Sequence, residues 1–269
     1  MVRGIDISRH QQTFDARYAK RNKINTVFVR TGYGFGKDEK YDDFISSCKS
    51  SSLRIGVYHF LTFHYASVNN RNFDSAMEAM NTQIDNLLEI IKDDGITSWV
   101  ALDEELESNL GKVMGLTKEQ NTDILIAAGN KVREAGYVPC LYASASWIEQ
   151  YVDLNKLNMK LWVAYYPQYP NPIDFDDLKE IPDTRYGNMI KRWKNQNKVC
   201  IWQFNSVGFG DKYGVGSSNL DKDWIYLQPK IKDKEEENPK KKRVIKKKSE
   251  LEKEKKKNKR KVVFKRKNN

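Results

Sequence analysis

The stretch WVALDEELE, residues 99–107, begins as an apolar, β-prone run and then turns abruptly acidic. This pattern is typical of a buried strand that leaves a hydrophobic core at a functional mouth. Because alternate side chains of a strand share a face, Asp103 and Glu105 are expected to point one way and Glu104 the other. Two neighbouring carboxyls cannot both ionise cheaply, so the pattern predicts one raised pKa and a general acid. An acidic strand end that pairs with Lys or Arg is the alternative.

Charge is distributed unevenly along the 269 residues. Residues 231–269 carry 19 Lys/Arg against 7 Asp/Glu, whereas residues 1–230 carry 28 against 29. The sequence pI of about 9.3 therefore comes from the C-terminal segment. We predict a folded domain over residues 1–229 and a lysine-rich, disordered tail over residues 230–269, because so charged a segment cannot bury a core.

Cysteine and histidine usage argues against a disulfide framework and against a metal site. Cys48, Cys140 and Cys200 are scattered in apolar settings, which indicates buried thiols. The histidines form no metal-binding spacing, so neither a metal nor another cofactor is expected. We recognise no signal peptide and no apolar run of membrane length. The protein is therefore expected to be made in the cytoplasm, and any action outside the cell needs another exit route.

Strand-like runs alternate with helical patterns along the folded part of the chain. An apolar stripe of helical period predicts a long helix from about Asn72 to Asp93, ended by Gly95, and a capping box at Thr117 and Gln120 opens another. This alternation predicts a mainly parallel sheet. About eight strands with polar or aromatic residues at their C-terminal ends predict an α/β fold, an irregular (β/α)8-type barrel. Helical signals after the later strands are weak, so the helical ring is expected to be incomplete.

A series of short motifs follows in order along residues 1–227. They are GIDIS with Asp6, VRTGYG with Arg30 and Tyr33, GVYHF with Tyr58, ALDEE with Asp103 and Glu105, LY with Tyr142, LWVAYY with Trp162 and Tyr165, IWQF with Trp202 and Gln203, and LD with Asp221. Together these motifs resemble glycoside hydrolase family 25, the muramidases also called Ch-type lysozymes, which are common among phage endolysins.

The resemblance implies hydrolysis of the β-1,4 bond between N-acetylmuramic acid and N-acetylglucosamine in bacterial peptidoglycan. It implies Glu105 as general acid/base and Asp103 as its charge partner, with Asp6 and Asp221 as further acids at the ends of the first and last strands. Either water or the 2-acetamido group of the sugar can act as nucleophile, and the sequence leaves both open. The expected sugar-binding residues are Arg30, Tyr33, Tyr58, Tyr142, Trp162, Tyr165, Trp202 and Gln203, although aromatic residues are equally typical of barrel core.

Because of two departures from the family pattern, two of the four acidic positions can each be filled by either of two residues. The middle position of the family's D-x-E motif is usually apolar, but Glu104 occupies it here, so Glu107 competes with Glu105 one step along. In the closing segment, Asp223 competes with Asp221 for the last acidic position. We favour Glu105, because an Ala-Leu pair leads into the motif as it does in the family, and we favour Asp221.

The basic tail contains lysine clusters, among them residues 240–242 and 246–248. Such a segment is typical of adhesion to anionic surfaces such as teichoic acids or anionic lipid, of non-specific nucleic-acid binding, or of nuclear import, which residues 239–244 resemble. A plain solvated tail is a further alternative. We favour adhesion, and predict a monomeric phage or viral lysis enzyme that acts on the cell wall after release. The rival predictions are a non-catalytic carbohydrate-binding barrel and a nucleic-acid-binding protein.

Overall fold

The computed structural model describes residues 1–62, 72–105 and 115–230. The compact unit of the chain is Met1–Pro229. Glu107 and all but the first residue of the predicted tail lie outside the described residues, so the expectations for them stay predictions. Within the described ranges, every helix is too short or too polar to cross a bilayer.

Strands and helices alternate along the described chain, and we number them in chain order. The strands are β1 (Val2–Ile7), β2 (Ile24–Tyr33), β3 (Gly36–Lys37), β4 (Arg54–Phe60), β5 (Val100–Asp103), β6 (Pro139–Ser144), β7 (Lys160–Ala164), β8 (Val199–Asn205) and β9 (Asp221–Ile225). The α-helices are α1 (Ala16–Arg21), α2 (Tyr41–Lys49), α3 (Phe73–Ile91), α4 (Lys118–Glu134), α5 (Ala145–Tyr151) and α6 (Arg185–Asn195).

Every strand except β3 takes part in a closed barrel, and β3 only forms a hairpin with β2. Neighbouring strands are parallel in the order β1, β2, β4, β5, β6, β7 and β8. Strand β9 closes the ring by pairing antiparallel with both β8 and β1. The predicted irregular barrel is confirmed. Its closing strand runs against its neighbours, which the sequence patterns did not predict.

The direction of β9 changes the place of its acidic residue. Asp221 begins β9 rather than ending it, and it lies opposite Asp6 near the end of β1. The expectation that both acids stand at strand ends is therefore wrong for Asp221. The two residues are neighbours because, in an antiparallel pair, the start of one strand meets the end of the other.

The helical ring around the barrel is incomplete, as predicted. Residues 206–220 are all described, and they contain only a short 3-10 helix, Asp211–Tyr213, between β8 and β9. The long predicted helix is observed as α3, with the Asn72 side chain accepting a hydrogen bond from the backbone N–H of Ser75 at its start. The predicted capping box of α4 is present at Thr117 and Gln120.

Side chains of the barrel strands alternate between two cores. Inward-facing residues such as Phe28, Cys140, Trp162 and Ile225 fill the barrel itself, while outward-facing residues pack with the helices in a larger core. The ring centroids of Phe28 and Trp162 are 4.5 Å apart at the centre of the barrel. The barrel is therefore filled, and polar inward-facing side chains are concentrated at one end. We call this end, where the parallel strands finish, the mouth, and the opposite end the base.

The chain leaves β9 at the base of the barrel. The indole Nε1 of Trp99 donates a hydrogen bond of 3.1 Å to the backbone oxygen of Leu227. The side chain of Gln228 bonds to Ser98, just before β5, and to Thr26, in the first part of β2. These bonds fix the segment after β9 to the end of the barrel that is opposite Asp103.

Phe28 can occupy the centre of the barrel because its partner on β4 is Gly56. A Cβ atom on Gly56 would lie 2.3 Å from two ring atoms of Phe28 and 3.1 Å from the backbone oxygen of Trp99. Such distances are far below van der Waals contact, and neither neighbour has free space because both are buried. The glycine at this position is therefore required by close packing.

We expect Gly56→Ala to lower the free energy of unfolding by about 1–3 kcal/mol, because overpacking a filled core forces rings off their preferred positions. Urea unfolding followed by tryptophan fluorescence measures the change. Gly36→Ala is the matched control, since a Cβ atom there would meet only a backbone oxygen at 3.6 Å. Equal stability of the two variants would contradict this account of the barrel core.

Candidate active site

A cleft of about 260 Å³ opens at the mouth of the barrel. Most residues that the sequence motifs predict as functional line it, because they are inward-facing residues near strand ends at the mouth. These residues are Asp6, Arg30, Tyr58, Asp103, Glu105, Tyr142, Trp162, Gln203 and Asp221. The two-residue period of a strand thus brings together side chains from distant parts of the sequence.

Three predicted sugar-binding residues do not line this cleft. Trp202 is fully buried in the outer core, where its indole Nε1 donates to the backbone oxygen of Tyr165, because its neighbour Gln203 takes the inward position on β8. This corrects the expected place of Trp202. Tyr165 lines a separate groove, and Tyr33 stacks on Phe60 at a ring separation of 4.8 Å in another.

The cleft also contains residues that the sequence analysis did not select, namely Ser8, His10, Gln11, Phe60 and Tyr166. Tyr166 follows Trp162 and Ala164 at a two-residue period, so the alternation of β7 extended by one step gives a usable signal for it. Ser8, His10 and Gln11 belong to a capped 3-10 turn after β1, whose approach to the cleft depends on tertiary structure.

Backbone pairing beyond the end of β5 fixes the positions of the central acids. The N–H of Glu104 donates to the oxygen of Tyr142 at 3.0 Å, and the N–H of Leu61 donates to the oxygen of Asp103 at 2.9 Å. The chain is therefore still held on both sides where it becomes acidic. Asp103 and Glu105 both face the cleft, as expected, while Glu104 lies outside it and is fully buried.

The two aspartates of β9 occupy different depths. Asp221 lines the cleft, whereas Asp223 is fully buried beneath it and accepts a hydrogen bond of 2.9 Å from the indole Nε1 of Trp162. Asp6 on β1 and Gln203 on β8 flank β9, and the Nε2 of Gln203 donates to the Asp6 carboxylate at 2.7 Å. Both competing residues, Asp221 and Asp223, therefore belong to one acidic group, with Asp221 at the surface of the cleft.

Burial and mutual repulsion raise the pKa values of these carboxyls. Burial is the largest cause of the raised pKa of Asp103, followed by the charge of Glu105, while Arg30 acts in the opposite direction. Burial likewise raises the pKa values of Asp6, Asp221 and Asp223, and the charge of a neighbouring aspartate adds to each of them. The floor of the cleft therefore retains protons that isolated aspartates would lose.

Two side chains, Gln203 and Arg30, make polar contacts in the walls of the cleft. The side-chain oxygen of Gln203 accepts hydrogen bonds from the hydroxyls of Tyr142, at 2.7 Å, and of Tyr166, while its nitrogen binds Asp6. On the other wall, Arg30 donates through Nε to the buried Asp38 at 2.7 Å. Arg30 thereby presents a fixed positive charge to a cleft that is otherwise rich in carboxyls.

A mainly parallel barrel with clustered carboxyls and aromatic walls at its mouth is an arrangement that suits glycoside hydrolysis. The sequence matches glycosyl hydrolases family 25 over residues 5–211. The chain belongs to this family, and the family expected from the motifs is confirmed.

Known proteins similar to this chain include lytic enzymes. The autolytic lysozyme of Clostridium acetobutylicum is 22% identical over 166 residues, which cover 61% of this chain and 45% of that protein. A D-alanyl-L-alanine endopeptidase of Streptococcus phage B30 is 27% identical over 114 residues, covering 41% of this chain and 21% of that protein. The chain thus spans less than half the length of these curated relatives. The family 25 glycosyl hydrolase structure from Bacillus anthracis has a TM-score of 0.60 and 18% identity, covering 88% of this chain and 91% of that chain.

The raised pKa values of the buried aspartates determine how stability changes with pH. In the folded protein these carboxyls keep protons at pH values at which the unfolded chain has lost them. Their contribution to stability is fully present below about pH 4, the usual pKa of an aspartate in an unfolded chain, and is lost as the pH rises through the folded pKa. The acidic cleft therefore destabilises the fold at neutral pH.

We expect Asp223→Asn to raise the melting temperature at pH 7 by roughly 2–4 °C, the shift that about 1 kcal/mol produces in a domain of this size. The amide keeps an acceptor for Trp162 and removes the carboxyl whose pKa is raised on folding, so the gain should disappear near pH 4. Calorimetry at several pH values measures it. Asp123→Asn, on the exposed face of α4, is the matched control. A gain that is independent of pH, or a loss at pH 7, would contradict the assignment.

Proposed function

We propose that this chain is an N-acetylmuramidase, a lysozyme that hydrolyses the β-1,4 bond between N-acetylmuramic acid and N-acetylglucosamine in bacterial peptidoglycan. The observation that carries the proposal is the placement of Asp103 and Glu105 on one face at the mouth of the barrel, next to Asp6 and Asp221. Family membership and the similarity to an autolytic lysozyme support the same activity.

Glu105 is the proposed general acid/base. It is only half-buried in the cleft, whereas Asp6 and Asp103 are almost completely buried on its floor. Because the Glu105 carboxyl is more exposed than those of Asp6 and Asp103, it can reach the glycosidic oxygen of a glycan bound in the cleft. Glu105 gives its proton to that oxygen as the bond to the anomeric carbon breaks, and then takes a proton from the incoming water.

Asp103 is the proposed partner that stabilises or orients the reacting sugar. Its Oδ1 atom is buried and makes no hydrogen bond to any described residue. A buried acceptor of this kind is costly unless a ligand supplies a donor. The N–H of a 2-acetamido group is a suitable donor, and a bond to it would orient that group towards the anomeric carbon. Attack by the acetamido oxygen and direct attack by water are both compatible with this role.

The remaining groups suit an oxocarbenium-like transition state, which carries positive charge on the sugar ring. Asp6 and Asp221 supply negative charge nearby, and the edges and faces of Tyr58 and Tyr142 form the walls that enclose the ring. Arg30 is placed to offer hydrogen bonds to sugar oxygens or to the carboxyl group of the muramic acid side chain. The site thus combines proton donation with electrostatic stabilisation.

We expect Glu105→Gln to reduce hydrolysis of purified peptidoglycan by about 10²- to 10⁴-fold, because an amide cannot donate the proton that the leaving oxygen needs. Turbidity loss measures the rate, and new reducing ends at muramic acid identify the bond. Glu89→Gln is the matched control, since the Glu89 side chain is exposed on α3, where it pairs with Lys92.

The outcomes of this experiment separate the alternatives. Continued clearing by Glu105→Gln would contradict the assignment of the acid, and Glu107→Gln would then be measured. Wild-type protein that binds peptidoglycan but releases no reducing ends would favour the non-catalytic carbohydrate-binding barrel. Unchanged thermal unfolding of Glu105→Gln is required in either case, so that loss of activity is not loss of fold.

For the basic segment we propose electrostatic adhesion to anionic polymers of the cell wall, and we propose that the enzyme is made in the cytoplasm and reaches the wall on lysis. The excess of 19 basic over 7 acidic residues in 231–269 supports adhesion. The similarity to a phage protein supports release by lysis. Binding of nucleic acid is the competing role of such a segment.

We expect deletion of residues 231–269 to leave kcat on a soluble glycan unchanged and to reduce binding to whole cell walls at low salt. The difference should vanish near 1 M salt, where the Debye length is only about 3 Å. Co-sedimentation with walls measures binding. A full-length variant with glutamine at the lysines of 240–242 and 246–248 separates the effect of charge from that of chain length. Loss of glycan hydrolysis on deletion would instead assign the main function to the basic segment.

A further inference from the structure

A second groove lies beside the cleft, on the side of β6 and β7. It has a volume of about 300 Å³, and its lining is dominated by tyrosine rings and small hydroxyl groups. Its aromatic and hydroxyl-bearing lining residues are Tyr165, Tyr166, Tyr169, Tyr186, Ser144 and Ser146. We call this the tyrosine groove.

The rings of the tyrosine groove are arranged in two pairs. The centroids of Tyr166 and Tyr169 are 6.4 Å apart, and those of Tyr165 and Tyr186 are 6.3 Å apart. Tyr169 is 64% exposed, which makes it the most exposed large hydrophobic side chain in the described part of the chain. Several ring faces converging on one depression form a continuous apolar surface, unlike the single exposed apolar residues that are normal on proteins.

The tyrosine groove adjoins the cleft. Tyr166 lines both, and its hydroxyl donates a hydrogen bond to Gln203, which in turn binds Asp6 on the floor of the cleft. The backbone N–H of Tyr165 also donates to the backbone oxygen of Gln203, at 3.0 Å. Because Tyr166 lines both and its ring lies 6.4 Å from that of Tyr169, a linear ligand that crosses Tyr166 would reach the ring of Tyr169.

The chemical groups in the lining indicate which class of ligand the tyrosine groove suits. The polar side chains that line the tyrosine groove are hydroxyls of serine and tyrosine, and its described lining includes no Lys, Arg, Asp or Glu. The groove on the opposite side of the cleft, in contrast, includes Arg9, Arg30, Lys37 and Asp38. Flat aromatic faces with neutral hydrogen-bonding groups suit a neutral pyranose ring, which has apolar C–H faces and hydroxyls at its edge.

We propose that the tyrosine groove is an additional sugar subsite that holds a neutral N-acetylhexosamine ring of the same glycan strand, outside the two sugars that flank the broken bond. The proposal rests on the proposed function, because it extends the glycan-binding cleft. Tyr169 supplies the stacking face. Tyr166 forms the wall that the subsite shares with the cleft.

The test measures dependence on chain length. The probes are soluble oligomers of N-acetylglucosamine of two to six sugars, titrated calorimetrically, and peptide-free peptidoglycan glycan strands used as substrate. In the wild-type protein, affinity should rise with length until the tyrosine groove is filled. Tyr169→Ala should remove this rise and increase KM for long strands about threefold to tenfold, the loss expected for one aromatic stacking contact, with kcat nearly unchanged.

Two variants serve as controls. Tyr169→Phe keeps the ring and should restore the length dependence, whereas Tyr18→Ala removes another exposed tyrosine, on α1, and should change neither quantity. Circular dichroism confirms that each variant is folded. If the wild-type protein hydrolyses long strands and Tyr169→Ala behaves identically, the subsite is refuted while the muramidase proposal stands. If the wild-type protein hydrolyses no glycan, the muramidase proposal fails, and a length dependence that Tyr169→Ala removes would still support the subsite.

Discussion

The strict alternation of side chains around a closed barrel is the constraint on which the remaining structure depends. Inward positions must fill a narrow space, and large rings such as Phe28 and Trp162 do so at the centre. Polar inward side chains are consequently displaced to the strand ends at the mouth. Because β9 pairs antiparallel with both neighbours, it delivers Asp221 and Asp223 to the same end as Asp6 and Asp103. The acidic site is thus a geometric result of barrel closure.

Concentrating carboxyls in this way lowers the free energy of unfolding at neutral pH, and the contacts around the carboxyls make this loss smaller. Gln203 binds Asp6, Trp162 binds Asp223, and the Arg30 guanidinium lowers the pKa of Asp103 against the larger effect of burial. These contacts do not remove the repulsion, since the aspartate pKa values remain raised. Active sites commonly retain such unfavourable arrangements because the same charges and protons serve the reaction. The rest of the barrel is packed closely enough to tolerate them.

Much of this arrangement could be predicted from the sequence, because alternation is a local property. The shared face of Asp103 and Glu105 follows from counting residues along one strand. Whether Tyr165 and Trp202 face the cleft could not be predicted, because an aromatic residue suits either core. The register shift between Leu161 and Trp162 is not visible in the sequence either. The direction of β9 depends on tertiary closure rather than on local pattern. The tyrosine groove likewise joins a loop, a strand end and a helix that are distant in the sequence.

The attachment of residues 227 and 228 to the base of the barrel has a consequence for tethering. Anything joined to the chain beyond Pro229 starts from the end of the barrel that is opposite the cleft. The adhesive segment proposed above would therefore be joined to the barrel at its base. Retention at the wall and turnover in the cleft would then belong to different parts of the chain, and a change to one could leave the other unaltered.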